Sequence, residues 1–330
     1  MATYSIGLLF VLFLVLVSEF INGWTDAPNA IATVIATRVM KPRWALLMAP
    51  LGNIIGAFYG TEVAKTIGTG FVKPEAINLM TLAAAMLGII GWGVFSWYFG
   101  LPISKSHAMV AALTGAGLAT GGTTVLLWSG WVKILIGLGV SSILGLFFGW
   151  VLAWTIKQTC YAIPRPKAKK LFSVLQIISA VGMALSHGSN DGQKFIGVFT
   201  LALVLGGVMP YFHVQQWVVI ICSLVMGIGT STGGLRIIKT MGEKIVKLEP
   251  YQGFAAQSAA TGAILLASHF GIPLSTTHTI NTSIMGVGSA TSNCGVRWNV
   301  VREIALTWVM TFPICAIVGF GIAWILHLFV

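Results

Sequence analysis

Apolar runs of seventeen residues or more recur from one end of this chain to the other, separated by short stretches that gather its polar, proline and glycine positions. Each run is close to the ~20 residues that a helix needs to cross ~30 Å of hydrocarbon. The first covers residues 4–21, resumes over 30–37 and stops at Arg38, Lys41, Pro42 and Arg43. The pattern predicts further helices at about 44–60, 76–99, 131–156, 171–186 resuming at Phe195, 215–233, 250–270 and 298–328. The expected fold is an all-α polytopic membrane protein.

Four interruptions break this pattern. Two are acidic: residues 22–29 hold Asp26, and residues 187–194, which begin 165 positions later, hold Asp191. A carboxylate at membrane depth costs on the order of 3 kcal/mol and persists where it faces partners or a wet cavity. Gly23 and Pro28 are residues that permit a break in the first helix, which would overshoot the bilayer if straight. The other two interruptions, 100–107 and 271–278, each contain a proline and several hydroxyls, and they read as re-entrant or broken helical hairpins whose irregular backbone must be covered by protein or water.

These features are duplicated. An offset of 171 (271 minus 100) carries Gly100 to Gly271, Pro102 to Pro273, Ser104 to Ser275, His107 to His278, Gly115 to Gly286 and Gly117 to Gly288 in one ungapped register. The chain therefore divides into a first transmembrane repeat, 1–156, and a second, 171–330. They are joined by a connector, 157–170, that holds Lys157, Arg165, Lys167, Lys169 and Lys170.

Composition narrows the class. Of 330 residues 56% are hydrophobic and 8% charged, with a mean hydropathy of +0.90, too few charges to cover the surface of a soluble domain. Residues 1–21 lack a basic leading region and a clear cleavage site, so a helix is expected there rather than a cleaved signal. Cys160, Cys222, Cys294 and Cys315 follow no metal-binding or redox spacing and are expected to pack. The net charge of +11 sits in short connectors, where it sets topology rather than binding nucleic acid. Placing 157–170 in the cytoplasm puts Arg38, Lys41, Arg43, Arg236, Lys239, Lys244, Lys247, Arg297 and Arg302 inside as well. Each repeat then crosses an odd number of times, giving two inverted-topology repeats with both termini outside.

Inverted repeats with paired helix breaks are an architecture of secondary transporters. Ser104, Lys105 and Ser106, and likewise Ser275, Thr276 and Thr277, follow a proline and precede a helical run. Hydroxyls, free N–H groups and a positive helix end make an anion site there, although such hydroxyls also serve as simple caps. Lys105 charges one copy only, so it binds the anion, gates its release or snorkels to an interface. An oxyanion repels Asp26 and Asp191, so a shared site needs H+ or Na+ between them, which is a physical route to cotransport.

Asn29 and Asn190 suit Na+ ligation or a hydrogen bond to the acid, and Thr25 stands beside Asp26. Lys194, three residues after Asp191, is placed to neutralise it. Glu19 is a further candidate for a proton path, and His107 and His278 relay protons, contact the anion or simply pack. No catalytic residue or cofactor is indicated. The one metal expectation is Na+ at Asp26, Asn29, Asn190 and Asp191.

The segments Gly23-x-x-Asp26-x-x-Asn29 and 186–194 resemble the two signature motifs of the inorganic phosphate transporter family, the low-affinity bacterial phosphate permeases, and 102–107 and 273–278 resemble its hairpin segments. The resemblance covers essentially the whole chain. It implies an inverted repeat whose two helical hairpins hold inorganic phosphate near the midplane, with the aspartates tied to cation coupling, in a plasma (inner) membrane protein that is often a homodimer. Its form of the second motif resembles proton-linked permeases that take neutral metal-phosphate complexes. Thr25 and Pro28 stand where the family often has Asn and Ala, and Lys105 stands where small polar or acidic residues are usual. The alternatives are a sulfate or other oxyanion permease of the same fold and, more remotely, an intramembrane hydrolase built on His and Asp.

Overall fold

The computed structural model describes residues 5–291 and 295–328, so Tyr4 and Cys294 lie outside the described residues. Thirteen α-helices follow in order among the described residues: α1 (Ile6–Ala36), α2 (Pro42–Ala57), α3 (Glu62–Thr69), α4 (Leu79–Phe99), α5 (Lys105–Gly121), α6 (Trp128–Thr159) and α7 (Arg165–His187), then α8 (Gln193–Leu205), α9 (Gln216–Thr232), α10 (Leu235–Lys239), α11 (Pro250–His269), α12 (Thr276–Thr291) and α13 (Trp298–His327). Among the described residues, six helical stretches are long and apolar enough to cross a membrane, and seven if the pair bent by 63° around residues 233–234 counts as one. Large apolar side chains such as Phe13, Leu51, Ile143 and Ile317 lie exposed on the outside. That surface suits hydrocarbon and not water.

The element order repeats. The run α7–α8 answers to α1, and α9 to α13 answer to α2 to α6. Two elements in stretches that the hydrophobic pattern left as connectors, α3 and α10, are too short to give an apolar run. Of the basic connector 157–170, only 160–164 is non-helical.

The expected break at 22–29 is not there: α1 is helical throughout, with Pro28 inside it. A proline removes a single N–H from the ladder, whereas unwinding the segment would strand several amides in an apolar surrounding. In the second repeat the same place holds a π-helical turn, Gly188–Gly192, between α7 and α8. A π turn carries one extra residue and is commonest at functional sites. Neither first helix is therefore broken in the sense the sequence suggested. At about 1.5 Å per residue, the excess length over the hydrocarbon is taken up by tilt or protrusion.

The breaks at 100–104 and 271–275 are present. Gly100 (φ 68°) and Gly271 (φ 62°) end α4 and α11 in the left-handed conformation, which glycine adopts without the Cβ penalty. Pro102 and Pro273 then hold the chain extended until Ser104 and Ser275 start the next helices by accepting the backbone N–H of His107 and His278. Helix α5 runs back along α4, with Thr120 near its end bonded to Thr81 near the start of α4 at 2.9 Å. Helix α12 packs on α11 in the corresponding way.

The two halves interlock. Helix α5 of the first packs along α13 of the second, and α12 along α6. Gly115 lies against the Ala316 carbonyl and Gly286 against that of Leu146, so close that a Cβ at either position would collide with backbone. The apolar interior is accordingly split into two clusters. One gathers Leu8–Val15 side chains of α1 with Ala108–Ala116 of α5, and the other gathers Ala27–Val34 of α1 with Ile280–Val287 of α12. Between them α1 carries the buried polar residues Ser18, Glu19, Asn22, Thr25 and Asp26. The hairpin tips converge on that layer, where the Ser106 hydroxyl donates to the Leu274 carbonyl at 2.8 Å.

Candidate functional site

Asp26 and Asp191 meet in the polar layer although 165 residues separate them. One ligand atom each from Asp26, His187 and Asp191 lies within 4.8 Å of the others, a group able to hold a cation. Asp26, Asp191, Lys105 and Lys194 are each no more than 2% exposed.

Around Asp26, the Thr25 hydroxyl lies 3.0 Å from Oδ1, the Thr277 hydroxyl donates to Oδ2 at 3.2 Å, and Asn29 Nδ2 sits 3.4 Å from Oδ2. The Asn29 amide also reaches the Thr276 and Thr277 hydroxyls at 3.3 and 3.1 Å, tying α1 to the second hairpin tip. Lys105, no more exposed than Asp26, has no hydrogen-bond acceptor for its Nζ.

Asp191, on the π turn, accepts from Lys194 and from Thr276, and its Oδ2 lies 3.1 Å from His187 Nε2. Lys194 in turn donates to the Ser106 hydroxyl and to the Leu274 carbonyl. It therefore pins both hairpin tips to the second acidic motif.

His187 is held by a chain of fixed polarity. Thr230 Oγ1 donates to the Met226 carbonyl, so it must accept from Asn53 Nδ2 at 2.9 Å. Asn53 Oδ1 then faces His187 Nδ1 at 3.2 Å and accepts its proton. With Nδ1 committed as donor, Nε2 can face a carboxylate oxygen only if a proton or a cation stands between them. The residue type was legible in the second motif, but this role was not, because Asn53 and Thr230 come from α2 and α9.

Lys105, Ser106, Thr276 and Thr277 project into the layer, whereas the Ser104 and Ser275 hydroxyls are engaged in capping α5 and α12. Asn190 turns away from Asp191, donating to Ser268 at 2.9 Å and facing the Ile272 carbonyl. Glu19 accepts from Asn22 at 3.1 Å and leaves its other oxygen without a partner. His107 and His278 pack on each other with ring centroids 4.4 Å apart, and His278 stacks on Trp308 at 3.8 Å. They sit behind the tips and make no hydrogen bond to either aspartate.

Chemically, the layer offers two helix N-termini and an unpaired ammonium to an anion, together with three hydroxyls that would have to turn from Leu274, Asp191 and Asp26 to donate to it, and two carboxylates that an anion would repel unless cations intervene.

Comparison with known proteins points the same way. Residues 22–319 match the model of the Phosphate transporter family. The chain is 40% identical over 308 residues to a Rhizobium meliloti protein described as "Probable low-affinity inorganic phosphate transporter", with 91% of each chain covered. It is 38% identical over 304 residues to a Bacillus subtilis protein of the same description, again with 91% of each covered. A solved structure described as "The sodium-dependent phosphate transporter" shares the fold with a TM-score of 0.87 at 22% identity, over 99% of this chain and 100% of that one. With nearly its whole length matched and close relatives well above 30% identity, the chain belongs to the phosphate transporter family.

Proposed function

We propose that the chain is a secondary transporter that carries inorganic phosphate across the membrane in symport with a cation, H+ or Na+. The observation that carries this reading is the convergence of two hairpin tips, each a helix N-terminus bearing hydroxyls, on two carboxylates in a sealed polar layer between two apolar cores. Lys105, Ser106, Thr276 and Thr277 would bind the anion. Asp26 and Asp191 would make that binding conditional on positive charge, since the anion and the carboxylates repel at this depth. The repeated element order supports two repeats of opposite topology that rock about this layer, with 157–170 cytoplasmic and both termini outside. The solved neighbour of the same fold is sodium-dependent by its description, which keeps Na+ beside H+ for this chain.

Family membership sets aside the hydrolase alternative: the chain is a transporter, not an enzyme. Sulfate as the preferred anion is an outcome of the same experiment. Purified protein in proteoliposomes is given labelled phosphate or sulfate under separately imposed H+ and Na+ gradients. Phosphate is expected to accumulate against its own gradient, with sulfate taken up less. Accumulation no greater than in protein-free vesicles would overturn the reading, and a preference for sulfate would replace its substrate.

A further inference from the structure

The two halves of the site differ where the repeat says they should match. An offset of 165 carries Asp26 to Asp191 and also Asn29 to Lys194, and the offset of 171 carries Ser106 to Thr277 and Lys105 to Thr276. The contacts follow this correspondence. In one half the neutral Asn29 amide reaches the Asp26 carboxylate and the Thr277 hydroxyl. In the other half the Lys194 ammonium reaches the Asp191 carboxylate and the Ser106 hydroxyl, and adds the Leu274 carbonyl.

A carboxylate, a hydroxyl and a backbone carbonyl from three separate segments form the kind of oxygen set that a hard metal cation takes. Here an ammonium fills it, and each of its three N–H donors has an acceptor. Lys105 completes the exchange from the other side. It stands in the repeat where the second half has Thr276, is buried, and keeps its donors free. Two buried lysines thus accompany the two buried aspartates, one of them paired directly with Asp191. A free cation at Asp191 would have to displace Lys194 or share its oxygens at the cost of like-charge repulsion in a buried site.

We propose that Lys194 is a tethered cation, standing where a mobile cation would otherwise sit beside Asp191, so that phosphate binding by this chain does not require Na+. The inference rests on the reading of the layer as a phosphate site and narrows its coupling. The mobile cation that accompanies the anion is then a proton.

The test is equilibrium binding of labelled inorganic phosphate to the purified full chain in detergent, in Na+ or in choline at one pH and ionic strength. The wild type is expected to bind equally in both salts. Lys194→Asn gives the second half the residue of the first. It should weaken binding in choline by about tenfold or more, the scale expected when a buried carboxylate loses its counter-charge, and Na+ should restore most of the loss. Lys194→Arg keeps the charge and should show no Na+ requirement, a rescue that a merely structural role does not predict. Wild-type binding that requires Na+ would overturn the inference while leaving the phosphate site standing. Equal binding by Lys194→Asn in the two salts would also overturn it. A wild type that binds no phosphate in either salt would remove the functional reading itself. If Lys194→Asn does not fold, the wild-type and Lys194→Arg measurements still decide.

Discussion

Asp191 and Lys194 form an ion pair with side chains 2% and 1% exposed, and the physics of such a pair gives a prediction that needs no transport assay. Asp191→Asn keeps the shape but leaves the Lys194 ammonium with only the Ser106 hydroxyl and the Leu274 carbonyl. Breaking a buried pair from one side costs about 3–5 kcal/mol, because the orphaned charge stays desolvated. Lys194→Met orphans the carboxylate instead, but Thr276 still donates to it, so its cost should fall toward the lower end, about 3 kcal/mol.

Removing both charges leaves nothing uncompensated, and exchanging a whole buried pair for neutral side chains is often close to neutral. The double variant should therefore cost less than either single variant, which means regaining more than about 3–5 kcal/mol over the sum of the single costs, above the ~0.5–3 kcal/mol usual for contacting residues because both orphaned charges are removed together. The assay is thermal unfolding of the ligand-free protein in detergent, followed by the fluorescence of its 12 tryptophans. The expected order of melting temperatures is wild type, then the double variant, then the two single variants. A double variant that melts at or below the lower single variant would show additive effects, and would refute the pairing.

Three further outcomes are expected. Asp26→Asn should abolish gradient-driven phosphate uptake in proteoliposomes without loss of the folded protein, and near-normal uptake would remove Asp26 from the mechanism. Lys105→Ser deletes the ammonium that lacks an acceptor. It should weaken apparent phosphate affinity by about tenfold or more, since a hydrogen bond to a charged group contributes about 1.5–3 kcal/mol, and an unchanged uptake curve would leave the anion to Ser106, Thr276 and Thr277. Gly115→Leu would drive a side chain into the Ala316 backbone and should cost about 3 kcal/mol or more, read as lost yield of folded protein. By contrast Gly91→Ala, at an exposed helical site with nothing within 4 Å, should stabilise the protein by roughly 0.5–1 kcal/mol of helix propensity, read as a higher melting temperature.

Sequence reading found the long helices within a few residues, because each is an apolar run of bilayer length. It found the hairpin turns because glycine and proline punctuate the backbone locally and the duplication marked them twice. It overestimated the effect of Gly23 and Pro28, which look like breakers but sit in a continuous helix, since the surrounding helices supply the packing that keeps α1 wound. It also placed Asn190 beside the acid by adjacency alone. On the π turn, neighbours in sequence point to different partners, and Asn190 bonds α11 instead.

What the sequence determined by itself was the solvent, the element lengths, the duplication and the chemical inventory: two aspartates, two lysines and two hydroxyl-bearing hairpins. These follow from composition and from local periodicity, which act over a turn or two of helix. Only the tertiary structure decided which carboxylate meets which cation. Lys194 pairs with its own neighbour Asp191, Lys105 is buried without a hydrogen-bond acceptor, and Thr276 and Thr277 divide between the two acids. Those pairings depend on the interlocking of α5 with α13 and α12 with α6, contacts between segments far apart in the chain that no local pattern encodes.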